Sequence, residues 1–239
     1  MNQNKNFRTG LLYDLTLYLF YFMASSFLFY ISIALPILWL IFLESSLMNI
    51  IIIGLIFPGV SALVSTSIKH KESKNEIGFK VLEKFIDGYK KNFKDTVKFS
   101  FFYAAIIFSV LFNIVFYDGE IPIFVTVSLS ILIALSTLIV TYMTLIGAKF
   151  KFRTRDLFRL SFYYIIMRFK ITIGVLGIYL LAFWAFSSIA GFGLFLLVSP
   201  LIYIITIYSY PILEDVYANF VETGEETGSS DKVKEIEDE

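Results

Sequence analysis

Five stretches of this chain contain no Asp, Glu, Lys or Arg: Leu15–Leu43, Ser45–Ile68, Phe99–Tyr117, Ile121–Ala148 and Ile171–Leu213. A hydrocarbon core about 30 Å thick takes about 20 helical residues at about 1.5 Å each. The first four stretches each fit one crossing. The fifth is about twice the required length, and Ser187–Gly193 carries turn residues inside it. It reads as two spans, Ile171–Ile189 and Leu194–Leu213. Lipid offers backbone N–H and C=O groups no partner, so each span must be helical. The pattern predicts an all-α polytopic membrane bundle of about six transmembrane helices over residues 1–221. The 57% hydrophobic content and mean hydropathy of +0.75 fit this, against about 45–50% apolar usage in soluble domains.

Charge position sets the orientation. The chain carries 20 basic and 20 acidic residues, unevenly placed. Lys69–Lys98 holds nine Lys and five acids, and Lys149–Lys170 holds seven basic residues and Asp156. Lys5 and Arg8 precede the first span. The opposite turns hold Glu44, then Asp118 and Glu120, and no Lys or Arg. The positive-inside rule then predicts cytoplasmic N- and C-termini. Trp39 and Trp184 map to the outer halves of their helices, where indole rings favour the interface. Lys5 and Arg8 before an apolar run resemble a signal peptide, but that run exceeds the ~7–15 residues of such a core, which predicts a retained first helix.

Between spans two and three, Phe79, Leu82, Phe85, Ile86, Tyr89, Phe93 and Val97 recur at helical spacing, with Lys80, Lys84, Lys90, Lys91, Lys94 and Lys98 largely off that stripe. This predicts an amphipathic cytoplasmic helix, serving either as a membrane-resting connector or as a docking surface. In the next basic segment, Leu157–Met167 is apolar but too short to span. It is interfacial, re-entrant or an extension of span five. The basic segments suit anionic lipid headgroups and not nucleic acid. Residues 222–239 read as a disordered acidic cytoplasmic tail.

Within the spans, Thr126, Ser130, Ala134, Thr137, Thr141, Thr144 and Ala148 fall on one face of the fourth helix. That face is either the wall of a polar conduit or a tight packing seam. Pro36, Pro58 with Gly59, and Pro200 are kink candidates. No ionisable residue lies in any span, which argues against a carboxylate-based ion-coupled carrier. The lone histidine, His70, reads as a solvated loop residue flanked by lysines. With no cysteine and one histidine, the sequence offers no metal cluster, and it holds no nucleophile–base pair. No cofactor and no enzymatic activity are expected.

Two segments, Pro58-Gly59-Val60-Ser61-Ala62-Leu63 and Phe85-Ile86-Asp87-Gly88-Tyr89-Lys90-Lys91-Asn92-Phe93-Lys94, carry a resemblance. The second is similar to the aromatic–basic element of the YesL-like family of bacterial multi-pass membrane proteins, a domain of unknown function. The resemblance spans Asn6 to Val221. It implies a bacterial plasma-membrane protein, and gene neighbourhoods of carbohydrate uptake beside ATP-binding-cassette (ABC) importers. It transfers no catalytic residue. The expected function is therefore an accessory or regulatory component of carbohydrate uptake, with ABC-importer subunits as partners. The alternative is an autonomous transporter or permease for an uncharged solute.

Overall fold

A computed structural model describes residues 11–42, 46–72, 80–115, 122–188 and 192–222. Every regular element among them is helical: α1 Leu11–Phe42, α2 Ser46–Glu72, α3 Lys80–Val115, α4 Ile123–Lys149, α5 Thr154–Met167, α6 Phe169–Ser188, α7 Phe192–Tyr208 and α8 Tyr210–Val216, then a π-helical turn over Tyr217–Glu222. Lys5, Arg8, Glu44, Phe79, Asp118, Glu120, the Trp39 side chain and the tail beyond Glu222 lie outside the described residues.

Among the described residues, three helical segments are long and apolar enough to cross a membrane: Leu15–Ala34, Ile123–Lys149 and Phe169–Ser188, with mean hydropathies of 1.7, 2.6 and 1.9. A fourth arises if Leu196–Tyr208 and Tyr210–Phe220, bent by 46°, act as one. Their outward faces are apolar, as Trp184 at 70% exposed illustrates. The bend falls at Ser209, just before Pro211. Proline cannot donate to the carbonyl four residues back, and its ring crowds that carbonyl. Pro36, Pro58 and Pro200, by contrast, each sit inside a helix that continues past them.

The most extensive packing joins α2 to α3. The pair is antiparallel: Ser100 Oγ donates to the Gly54 carbonyl at 2.8 Å, and Lys69 pairs with Asp87. The first of these contacts follows from Pro58. Pro58 lacks the N–H that would bond Gly54 O four residues earlier, and the Ser100 hydroxyl supplies a donor in its place. Close approach depends on glycine. A Cβ on Gly88 would lie 2.8 Å from Ser65 Cβ, and one on Gly59 would lie 2.6 Å from Ser32 Oγ and 3.2 Å from the Phe29 ring.

Lys80–Val115 is one unbroken helix, so the basic segment standing against α2 is continuous with the charge-free stretch that begins at Phe99. Its buried positions include Val81, Phe85, Asn92, Thr96, Phe99, Ser100 and Ala104, a 3–4 spacing aimed at α2. Phe85 is 4% exposed, inside a cluster with Phe29, Ile33, Ala62 and Leu63. Leu82 and Ile86 stay exposed. On α2 every residue from Ser61 to Ile68 is buried. The apolar character of that segment therefore serves contact with protein.

A larger core centres on Leu138, Tyr142, Met143, Leu145 and Ile146 of α4, with α2, α5 and α8 packed around it. α5 is a separate 14-residue helix. It buries Leu157, Leu160, Tyr164 and Ile165 and exposes Phe158, Phe162, Ile166 and Met167. Asp156 in its first turn suits the positive end of the helix dipole. Arg168, at φ −106° and ψ 46°, separates α5 from α6. Its guanidinium holds Asp215 at 2.6 and 2.9 Å, tying this corner to α8.

Candidate functional site

Two concavities are built from residues far apart in the chain. The first is a cationic groove of about 850 Å³. Lys90, Lys91, Lys94 and Lys98 of α3 form one side, and Lys151, Arg153 and Thr154 at the start of α5 form the other. Tyr89, Phe93 and Phe152 add aromatic surface. Asp95 is the one acid in the lining, and it accepts from Lys98 at 3.2 Å. The other five cations make no ion pair among the described residues. Asn92 lines an adjoining crevice together with Lys91, Asp95, Lys151 and Phe152, all of which also line the groove. It is 7% exposed, and its Nδ2 finds no acceptor among the described residues.

The second is a cavity of about 230 Å³ between α2, α3, α4, α6 and α7. Its wall is chiefly hydrocarbon, including Phe57, Val64, Val140, Leu201 and Ile205, with hydroxyls from Tyr103, Thr137, Thr141, Thr144, Tyr179 and Thr206. Thr137 donates to Ile133 O at 2.8 Å and so accepts from Tyr103 OH at 3.0 Å. Thr141 donates to Thr137 O at 2.7 Å and so accepts from Tyr179 OH at 2.7 Å. Thr144 and Thr206 donate to Val140 O and Ile202 O. Every hydroxyl proton is committed, so the wall offers lone pairs to a visitor and no free O–H. No Asp, Glu, Lys, Arg or His lines it.

The predicted residues thus divide. Of the fourth-span face, Thr137, Thr141 and Thr144 reach the cavity, while Thr126 and Ser130 are exposed near the other end of α4. Of the aromatic–basic element, Tyr89, Lys90, Lys91, Phe93 and Lys94 line the groove, Asn92 sits beside it and Phe85 faces α1 and α2. Pro58 and Gly59 shape the α2 contacts, and neither Pro36 nor Pro200 lines either concavity. Tyr103, Tyr179 and Thr206 were not singled out from the sequence. The signal available was a hydroxyl-bearing side chain inside a charge-free stretch.

His70 corrects the sequence reading. It occupies the last turn of α2 and is 6% exposed. Its ring stacks on Tyr21 at 4.2 Å, with Tyr18 and Tyr203 edge-on at 5.5 and 5.9 Å. The flanking lysines suggested solvent, but α2 continues past them and turns the imidazole inward between α1 and α7. Lys71 sits over the Tyr210 ring at 3.2 Å, and Glu72 takes Lys149 at 2.8 Å and Tyr210 OH at 3.1 Å. These contacts tie α2, α4 and α8 together at one end.

Burial, reinforced by Lys84, holds the His70 pKa below its ordinary 6.5. The folded chain therefore binds that proton more weakly than the unfolded one. The contribution is absent above the unfolded pKa, and folding is opposed as pH falls through it. The melting temperature of the purified protein in detergent is expected to fall between about pH 7.5 and pH 5.5. His70→Phe is expected to flatten that dependence; equal slopes for both proteins would remove the assignment.

The fold and site define an all-helical protein with helices long and apolar enough to cross a membrane, a cationic groove and a hydroxyl-bearing cavity. Among the described residues no group of three or more His, Cys, Asp or Glu is placed to hold a metal ion. The family model described as "Protein of unknown function, DUF624" matches residues 20–114, which run from α1 through α2 to the end of α3. No curated protein and no solved structure matches the chain. The matched family carries no assigned activity.

Proposed function

We propose that this chain is a non-enzymatic, six-span protein of a bacterial cell membrane, with both termini cytoplasmic, acting as an accessory or regulatory component of carbohydrate uptake. The observation that carries the proposal is the convergence of two basic segments, about 60 residues apart, on one groove. A surface on which most cations make no ion pair is suited to a partner from outside the chain, and the positive-inside rule assigns both segments to the cytoplasm. The resemblance stated above supplies the importer as the expected partner. Affinity purification from native membrane is expected to recover ABC-importer subunits with the wild type, and fewer with Lys90→Glu/Lys94→Glu. A partner-free wild-type preparation would overturn the importer reading.

The cavity favours a second reading, transport of an uncharged solute. Its hydrocarbon wall disfavours charge, and its volume exceeds the roughly 150 Å³ of an engineered cavity that admits benzene. On that reading, proteoliposomes show flux of a neutral solute that Thr141→Val alters. No flux across a broad panel of sugars and neutral alcohols would sink it.

A further inference from the structure

We infer that the groove between α3 and the start of α5 is a binding site for a phosphate-bearing anion, with Asn92 in the adjoining crevice that Lys91 and Lys151 also line. The inference rests on the cytoplasmic placement proposed above and names the ligand chemistry of that same groove.

Like charges gathered in one concavity raise the energy of the folded state unless something neutralises them. Here Lys90, Lys91, Lys94, Lys151 and Arg153 share a lining whose single acid, Asp95, is already engaged by Lys98. An anion carrying several oxygens resolves this with charge-assisted hydrogen bonds. Asn92 sharpens the argument from charge to site. A buried amide donor without an acceptor costs free energy, and Asn92 Nδ2 is such a donor, in a crevice that Lys91 and Lys151 also line. Lys91 and Lys151 line both the crevice that holds this amide and the groove beside it. Thr154, the first residue of α5, borders the same groove. The occupant is therefore a phosphate-type oxyanion with several acceptor oxygens. A phosphomonoester, a pyrophosphate or an anionic lipid headgroup shares this chemistry.

The test uses the full-length protein in nanodiscs. One arm titrates pyrophosphate into phosphatidylcholine nanodiscs by calorimetry. The other counts phosphatidylglycerol retained from mixed nanodiscs by native mass spectrometry. Binding in the first arm identifies a soluble ligand, and binding in the second alone identifies a headgroup. In whichever arm responds, Asn92→Leu, which leaves charge unchanged, is expected to weaken binding about tenfold. Lys91→Gln/Lys151→Gln is expected to weaken it further, and Arg159→Gln, outside the groove, to leave it unchanged. Should Asn92→Leu fail to fold, the exposed Lys91/Lys151 pair carries the test. The inference is overturned if neither probe binds, or if Arg159→Gln weakens binding as much as the groove variants do. Because no importer subunit is present, its failure is separate from failure to recover a partner.

Discussion

Gly88→Leu is expected to disrupt the α2–α3 pair, the most extensive helix contact in the molecule. Gly88 faces Ser65 and the Ala62 carbonyl. Even a methyl group there would come within 2.8 Å of Ser65 Cβ and 2.9 Å of its Oγ, distances that force the helices to separate. Gly88→Ala is expected to cost about 1–3 kcal/mol, the usual range for overpacking. Leucine adds three more carbons at the same point, and separation of the helices would also loosen the Phe85 cluster and the Ser100–Gly54 bond that offsets Pro58. Thermal unfolding in detergent, followed by helicity, measures the loss. Ser65→Gly in the Gly88→Ala background is expected to restore part of the stability, because the clash is with that side chain. Equal melting temperatures for wild type and Gly88→Leu would contradict the packing described.

Leu135→Asp is expected to impair membrane insertion of α4. This is the most apolar of the candidate spans, and Leu135 lies near its middle on an exposed face. An aspartate at the centre of a transmembrane helix costs about 2.5–3.5 kcal/mol on an insertion scale. Leu135→Ala removes similar volume without charge and serves as the control. Carbonate extraction of membranes is expected to retain the alanine variant and to lose much of the aspartate variant. If both partition alike, α4 does not face lipid at Leu135.

The sequence made the helices legible, because charge-free length and turn residues are local signals. It also placed the small and hydroxylated face of α4, of which the inner part reaches the cavity. It could not tell which apolar residues meet lipid and which meet protein. Ser61–Ile68 shows why: hydropathy registers aversion to water, and burial by α1 and α3 satisfies it as well as a bilayer does. The same ambiguity misplaced His70, whose neighbours in sequence are lysines but whose neighbours in space are tyrosines. The groove was legible only as two separate basic segments. Its joining depends on the antiparallel register of α3 against α2 and on the turn into α5. Asn92 was visible within the aromatic–basic element, yet its unmatched amide emerges only once the helices are packed. Pro211, unlike the three prolines singled out, lies where the chain bends.

The central claim is that the two basic segments share one compartment on one side of the membrane. Because the chain has no cysteine, single cysteines can be introduced at Lys94, Lys151 and Pro122 and probed with a membrane-impermeant maleimide. In intact cells the account predicts labelling at Pro122→Cys, with Lys94→Cys and Lys151→Cys reacting only after permeabilisation. Labelling of Lys94→Cys in intact cells, or of Lys94→Cys and Lys151→Cys from opposite sides, would contradict it.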